Sequence, residues 1–258
     1  MSDYFKNKSA NNSRLKVLLD KTPAHLKHEI ENESNDETTA LIIGRALHCI
    51  MLEGNKAFYD AFIISPKFDK RTKVGKEAFA EFEQLAGNKT ILNESDAGLI
   101  FNLEFALKSN ETVVDLLSTG EGEKELYGTL NGVNCKAKLD WYRNGIIVDL
   151  KTTENASARG FGNSCAKYHY DMQAAFYSDL ARECGLDVQH FIFIVVEKTA
   201  PYLTSVFVVP EHVIENGRRK YQHALKIWQE CHESNEWSGY EKGIQELSIP
   251  EWGIYNEQ

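Results

Sequence analysis

The sequence predicts an α/β (α+β) fold in which helices flank a central sheet that begins as a three-stranded meander. Three observations carry this reading. Residues 123–152 alternate with period two around two Asn-Gly pairs, Asn131-Gly132 and Asn144-Gly145, the strongest short-range hairpin signal. Two later runs, Phe191-Ile-Phe-Ile-Val-Val196 and Val206-Phe-Val-Val209, are apolar on both faces, as strands inside a covered sheet are. Elsewhere the apolar side chains recur at helical spacing.

Taken in order, Ser13 is placed to cap a helix over 14–20, Pro23 restarts the chain, and the apolar run 39–52 forms a helix that Gly54 ends. The first third is thus expected to be helical. Residues 67–76 set Lys67, Lys70, Arg71, Lys73 and Lys76 against Asp69 alone, and an isolated run of this kind is by default a solvated loop. Apolar spacing predicts packing helices over 77–86 and 94–117. After the meander come a helix over 168–184, strands over 189–197 and 202–209, and a long helix over 210–233. No internal repeat or low-complexity linker divides the chain.

Composition narrows the function classes. With 258 residues, 42% apolar, 26% charged, 5 Pro and 17 Gly, the chain has a globular profile, which excludes disorder and fibrous repeats. Its 29 basic and 38 acidic residues give −9, so a polyanion partner must meet a local basic patch. Cys49, Cys135, Cys165, Cys184 and Cys231 are odd in number, widely spaced and without a CxxC pair, so neither disulfides nor a zinc knuckle are expected. No window approaches the roughly 18 apolar residues of a membrane span. We therefore expect a soluble protein of the reducing cytoplasm with no membrane partner.

Two-residue type I′ turns fix the register of the meander. Around the first, Glu125 faces Lys138 as a supporting ion pair and Glu123 faces Asp140. Around the second, Lys138 faces Lys151 and Asp140 faces Asp149. Cys135, Ala137, Leu139 and Trp141 form the apolar face, and the three acids Glu123, Asp140 and Asp149 fall in one row. Opposed carboxylates about 5 Å apart repel by roughly 3 kcal/mol at an effective dielectric near 20. A divalent cation reverses that sign, and aligned carboxylates suit Mg²⁺ or Mn²⁺. A bulge that breaks the register would instead leave ordinary surface charges tied to Lys136 and Lys138.

Asp140, then Asp149-Leu150-Lys151 on a hairpin, resembles the D…(D/E)xK core of the restriction-endonuclease-like PD-(D/E)xK nucleases. Lys136-Ala-Lys-Leu-Asp-Trp141, Ile147-Val-Asp-Leu-Lys-Thr-Thr153, Tyr168-His-Tyr-Asp-Met-Gln-Ala-Ala-Phe-Tyr177, Phe191-Ile-Phe-Ile-Val-Val-Glu-Lys198 and Trp237-Ser-Gly-Tyr240 extend the resemblance. So do Gly44-Arg-Ala-Leu-His48 and Arg71-Thr-Lys-Val-Gly-Lys76. Together they are similar to the nuclease domain of the exonuclease VIII (RecE-type) family of phage and prophage recombination enzymes, over about residues 13–252. The resemblance implies a restriction-endonuclease-like core with a mixed central sheet. It also implies a single nuclease domain over 1–258: a helical part over about 1–120, a catalytic sheet core over about 121–235 and a tail over 236–258.

The resemblance further implies catalytic roles for Asp140, Asp149, Lys151, Gln173 and Tyr177. Metal ligands fall on His48, Glu123, Asp140, Asp149 and the Leu150 carbonyl, with Mg²⁺ as cofactor and Mn²⁺ as its substitute. His48 also reads as a core histidine, and Gln173 and Tyr177 as amphipathic-helix positions. Arg45, Lys67, Lys70, Arg71, Lys73, Lys76 and Arg159 supply DNA backbone contacts, and Ser9, Ser13 and Arg14 are candidates for an end-binding pocket. The implied activity is 5′ to 3′ digestion of linear duplex DNA, leaving 3′ overhangs. The implied partners are duplex DNA ends, further copies of the chain in a ring (a tetramer being one size), and a single-strand annealing protein. Two other readings share these residues: a Cas4-like nuclease acting on single strands, and a non-catalytic DNA-end-binding module.

Overall fold

The structure, a computed structural model, describes residue 4 and residues 7–32 and 37–250; the predicted tail is described as far as residue 250. Helix α1 (Asn12–Asp20) is capped by Asn11, whose side chain accepts from the Arg14 N–H, so Ser13 lies inside the helix rather than at its cap. Helix α2 (Pro23–Glu31) starts on its proline. Helix α3 (Thr39–His48), capped by Thr38, does not run on to Leu52 as a regular helix. It widens into a π-helical turn, Cys49–Glu53, which Gly54 closes at φ 91°.

Helix α4 (Asn55–Ala61), strand β1 (Phe62–Ile64), helix α5 (Lys73–Ala86) and strand β2 (Thr90–Leu92) follow. β1 and β2 pair in parallel, so the first third is not wholly helical. Three-residue strands are too short to show an alternation. Lys73 and Lys76 belong to α5, not to a loop. The predicted 94–117 helix breaks into α6 (Glu94–Lys108) and α7 (Glu111–Leu117), because Asn110 caps α7 by accepting from Thr112 and Val113 N–H.

The central sheet holds β3 (Glu121–Leu130), β4 (Val133–Arg143), β5 (Ile146–Thr153), β6 (His190–Glu197) and β7 (Thr204–Val208), in that spatial order. Only the β5–β6 pair is parallel, so the sheet is mixed. Helix α8 (Ala158–Tyr168) and helix α9 (Tyr170–Glu183), joined at His169 with φ 54°, make the crossover from β5 to β6. The sequence reading missed α8, whose Gly160 and Gly162 weaken its pattern. Helix α10 (Glu211–Ser234) is the last regular element among the described residues.

Both Asn-Gly turns place two residues at positive φ, as type I′ turns require: 50° and 80° at Asn131-Gly132, 44° and 82° at Asn144-Gly145. The predicted register holds at Leu130↔Val133, Glu125↔Lys138 and Glu121↔Tyr142, and at Arg143↔Ile146 and Trp141↔Val148. It fails at the acids. Glu123 takes φ 54° and drops out of the β3–β4 ladder opposite Asp140. The β4–β5 ladder stops after Trp141↔Val148, so neither Asp140 and Asp149 nor Lys138 and Lys151 are paired residues. Asp140 Oδ2 replaces the ladder by accepting from the Leu150 N–H at 2.9 Å. The three acids therefore do not form one row, and Trp141 leaves the apolar face of Cys135, Ala137 and Leu139 to pack on the other side.

Each face of the sheet is covered. Cys135, Ala137, Leu139, Ile147, Phe191, Phe193 and Val195 pack with residues of α1, α8, α9 and α10. Val148, Leu150, Ile194 and Val196 pack with residues of α3, α4 and α6. β5 and β6 thus alternate between two cores, as expected for central strands. β7 departs from the expectation of full cover: it is the sheet edge, with Val208 58% exposed. Among the described residues no helix is long and apolar enough to cross a membrane.

Candidate active site

The gap between β4 and β5 opens into a cleft of about 690 Å³ walled by α3, β3 and Tyr170 of α9. His48 reaches it from the last turn of α3. Its Nε2 lies 2.8 Å from the Leu150 carbonyl oxygen and its Nδ1 3.4 Å from Asp140 Oδ2. His48 therefore faces the acids, with both ring nitrogens engaged. Burial alone would lower its pKa, but the charge and hydrogen bond of Asp140 outweigh burial and raise it. Asp140 shows the reciprocal effect: burial pushes its pKa up, and His48 and then Lys151 bring it below the ordinary value.

Glu123, turned inward by its left-handed backbone, pairs with Lys138 Nζ. The predicted Glu125–Lys138 ion pair does not form; Glu125 accepts instead from the Tyr127 hydroxyl at 2.9 Å. Burial raises the Glu123 pKa against the opposing charge of Lys138. Ligand atoms of His48, Glu123 and Asp140 lie within 4.8 Å of one another. With the Leu150 carbonyl they make a set of hard oxygen donors and one imidazole, a chemistry that fits Mg²⁺ or Mn²⁺. The five cysteines join no such group among the described residues.

Asp149 lies deeper, 1% exposed, and outside that triad. One of its oxygens meets Lys151 Nζ and the other accepts from Gln173 Nε2 at 2.7 Å. Burial drives its pKa up to about 6, opposed by Lys151 and reinforced by Asp140. Burial would lower the Lys151 pKa, but Asp149 and Asp140 raise it. The Lys151 ammonium also stands 5.1 Å from the Tyr170 ring centroid. Gln173 and Tyr177 occupy the same side of α9, four residues apart. Burial, then Asp149, lifts the Tyr177 phenol well above its usual range, with Gln173 hydrogen-bonded to it.

The basic residues separate into two groups. Arg45 lines the cleft, held by Glu37 at 2.6 Å and by Thr90 Oγ1 at 2.9 Å. Lys67, Lys70, Arg71, Lys73 and Lys76 are exposed around the start of α5, and Arg159 is exposed in the first turn of α8; none lines the cleft. Asp69 engages Arg71, and Lys70 sits over the Phe79 ring. The Arg14 guanidinium donates to the Ser9 carbonyl at 3.1 Å, while Ser13 is exposed. Tyr170 is a cleft residue that the sequence reading did not single out, although it stands three residues before Gln173. Lys138 was placed in the meander but given to the wrong glutamate.

The model of the family described as a PDDEXK-like domain of unknown function (DUF3799) matches residues 12–247. No curated protein matches the chain. Among solved structures, a candidate exonuclease from Eubacterium rectale superposes with a TM-score of 0.62 at 15% identity, covering 95% of this chain and 93% of its own. A phage-related exonuclease from Haemophilus somnus gives 0.37 at 13% identity, over 74% and 95%. The first likeness is one of fold; the second superposes too loosely to bear on it.

Proposed function

We infer the activity from the premise that this chain belongs to the family of PDDEXK-like DUF3799 domains: it is a divalent-metal-dependent nuclease that hydrolyses DNA phosphodiesters. One observation carries the reading. His48, Glu123, Asp140 and the Leu150 carbonyl converge on one point of the cleft, next to an Asp149–Lys151 pair. Those four groups would hold the ion, with Asp149 orienting Lys151 and Gln173 beneath them. When bound, such an ion polarises a phosphoryl oxygen and makes its water acidic.

The protein's own groups supply the rest. Lys151, kept protonated by Asp149 and Asp140, offers an ammonium to the phosphoryl oxygens as negative charge grows on them. Gln173 fixes the Asp149 carboxylate, and Tyr177 fixes Gln173. Phosphoryl transfer asks mainly for positioning and charge neutralisation, and this arrangement supplies both. Arg45 and the exposed strip from Lys67 to Lys76, with Arg159, would take backbone phosphates in a protein whose net charge is −9.

Within this reading the substrate is linear duplex DNA, digested 5′ to 3′ from its ends with Mg²⁺, or Mn²⁺ in its place, to leave 3′ overhangs. Resemblance to the exonuclease VIII family supports that polarity, a ring of copies around the duplex, a single-strand annealing partner and a cytoplasmic setting. The test is digestion of linear duplex labelled separately at each end, beside a closed circle, with Mg²⁺ or EDTA, for the parent chain and Lys151→Ala. Mg²⁺-dependent release of 5′ nucleotides from the linear substrate alone, lost in Lys151→Ala, supports the exonuclease. Cutting of the circle makes it an endonuclease, and binding without any cutting makes it a DNA-end module.

A further inference from the structure

The cleft does not account for every charged group around it. Lys16, on α1, places its ammonium 5.3 Å from the centroid of the Tyr170 ring, the ring that also receives Lys151. Two ammoniums share one aromatic side chain, and only one has an acid. Among the described residues Lys151 is paired with Asp149, whereas Lys16 makes no ion pair or hydrogen bond.

The three acids whose charge acts most on Lys16, Asp149, Asp20 and Asp171, are each engaged by another group. Asp149 holds Lys151 and Gln173. Asp20, four residues along the same helix and the obvious partner, takes His169 Nε2 at 2.9 Å instead. Asp171 takes Lys220 at 2.8 Å and Asn216. Burial, and next the charge of Lys151, lower the Lys16 pKa to about 8, so the fold maintains this cation at a cost. A purely structural lysine would be stabilised by rotating toward Asp20. Lys16 is the member of this cluster that, among the described residues, has no ion-pair partner of its own.

We propose that Lys16, sharing the Tyr170 ring with Lys151, holds a second backbone phosphate of the substrate strand, next to the one that is cleaved. The phosphate would supply the missing anion and offset the repulsion between the two ammoniums. The two ammoniums at one ring divide the tasks: Lys151 serves the reacting phosphate, and Lys16 fixes the strand. Lys16 is therefore a positioning residue, and the inference rests on the nuclease reading above.

The experiment measures binding of a fluorescent duplex with a single-stranded end to the full chain in EDTA, as a function of salt, together with Mg²⁺-dependent cleavage. Lys16→Gln is expected to weaken binding roughly fivefold, and to reduce the slope of log affinity against log salt by about 0.7 to 0.9, one phosphate contact. KM should rise with kcat unchanged, and Lys16→Arg should restore the parent slope. A slope equal to the parent's in Lys16→Gln overturns the proposal. So does a loss of affinity in both variants that tracks a lowered urea midpoint, which would make Lys16 structural. Because the slope is read without metal, a parent chain that binds but never cuts refutes the nuclease reading and leaves the Lys16 contact separately decided.

Discussion

A half-buried and a fully buried carboxylate on neighbouring elements are treated in opposite ways. Asp179 of α9 receives Arg218 Nε at 2.7 Å and Nη2 at 3.0 Å, the Tyr221 hydroxyl at 2.8 Å and Arg182 at 2.9 Å. Burial would raise its pKa, but the hydrogen bonds from Arg218 and Tyr221 outweigh burial and lower it. Asp149 of β5, tied to α9 through Gln173, has one lysine and one amide, and burial wins. A guanidinium fork saturates a carboxylate that only has to stand still. An under-compensated carboxylate beside Asp140 keeps unspent affinity for positive charge. On the nuclease reading proposed above, the difference separates a residue that holds the fold together from one the fold tolerates for its chemistry.

Removing the reacting groups should sharpen that contrast most. Asp140→Asn and Lys151→Ala are each expected to lower Mg²⁺-dependent cleavage at least about a thousandfold, with circular dichroism unchanged. Retained cleavage in Asp140→Asn would sink the proposed site. At Asp179 the expected pattern is inverted: Asp179→Ala should lose about 3 kcal/mol in urea unfolding, since Arg218 and Tyr221 are left unpaired, while cleavage per folded molecule stays within about twofold of the parent's.

Acid titration tells the two apart by sign. The lowered pKa of Asp179 means its stabilisation is complete above the ordinary value of 3.8 and disappears as pH falls through the depressed folded value. The stability gap between the parent and Asp179→Asn should therefore close on acidification. Asp149 runs the other way. Its pKa of about 6 means that ionisation costs the folded state, so its contribution worsens as pH rises from 3.8 toward 6. A gap at Asp179 that widened in acid would refute the assignment. The smallest effect belongs to the outer support: Tyr177→Phe should slow cleavage less than about tenfold, the scale of one hydrogen bond, and Gln173→Ala more, because Gln173 touches Asp149 directly.

How much of this was legible beforehand follows the range of the signal. The Asn-Gly turns are local, so the register of both hairpins could be counted outward from them, and every ladder pair that forms obeys the count. The departures sit at Glu123 and Asp140, where side-chain chemistry competes with backbone pairing, and period-two patterning carries no trace of that competition. The flanking helices followed from apolar periodicity, and the mixed sheet from the resemblance. The short β1 and β2 strands, the π-turn after His48 and helix α8 did not, because few residues or glycines dilute their periodicity. Lys16 lay out of reach for another reason: its meaning comes from which acids are already taken, a property of the tertiary structure alone.

Where β4 leaves β5, the Leu150 amide is bound by a side chain on one side of the strand while its neighbours keep a full ladder to β6 on the other. That N–H is consequently a spectroscopic reporter. Its proton shift and exchange rate respond to the charge on Asp140 Oδ2, and to anything that draws that oxygen away, while amides paired only with β6 stay silent. Titrating Mg²⁺ and following this single resonance would read cation binding at the carboxylate itself, with no DNA in the tube.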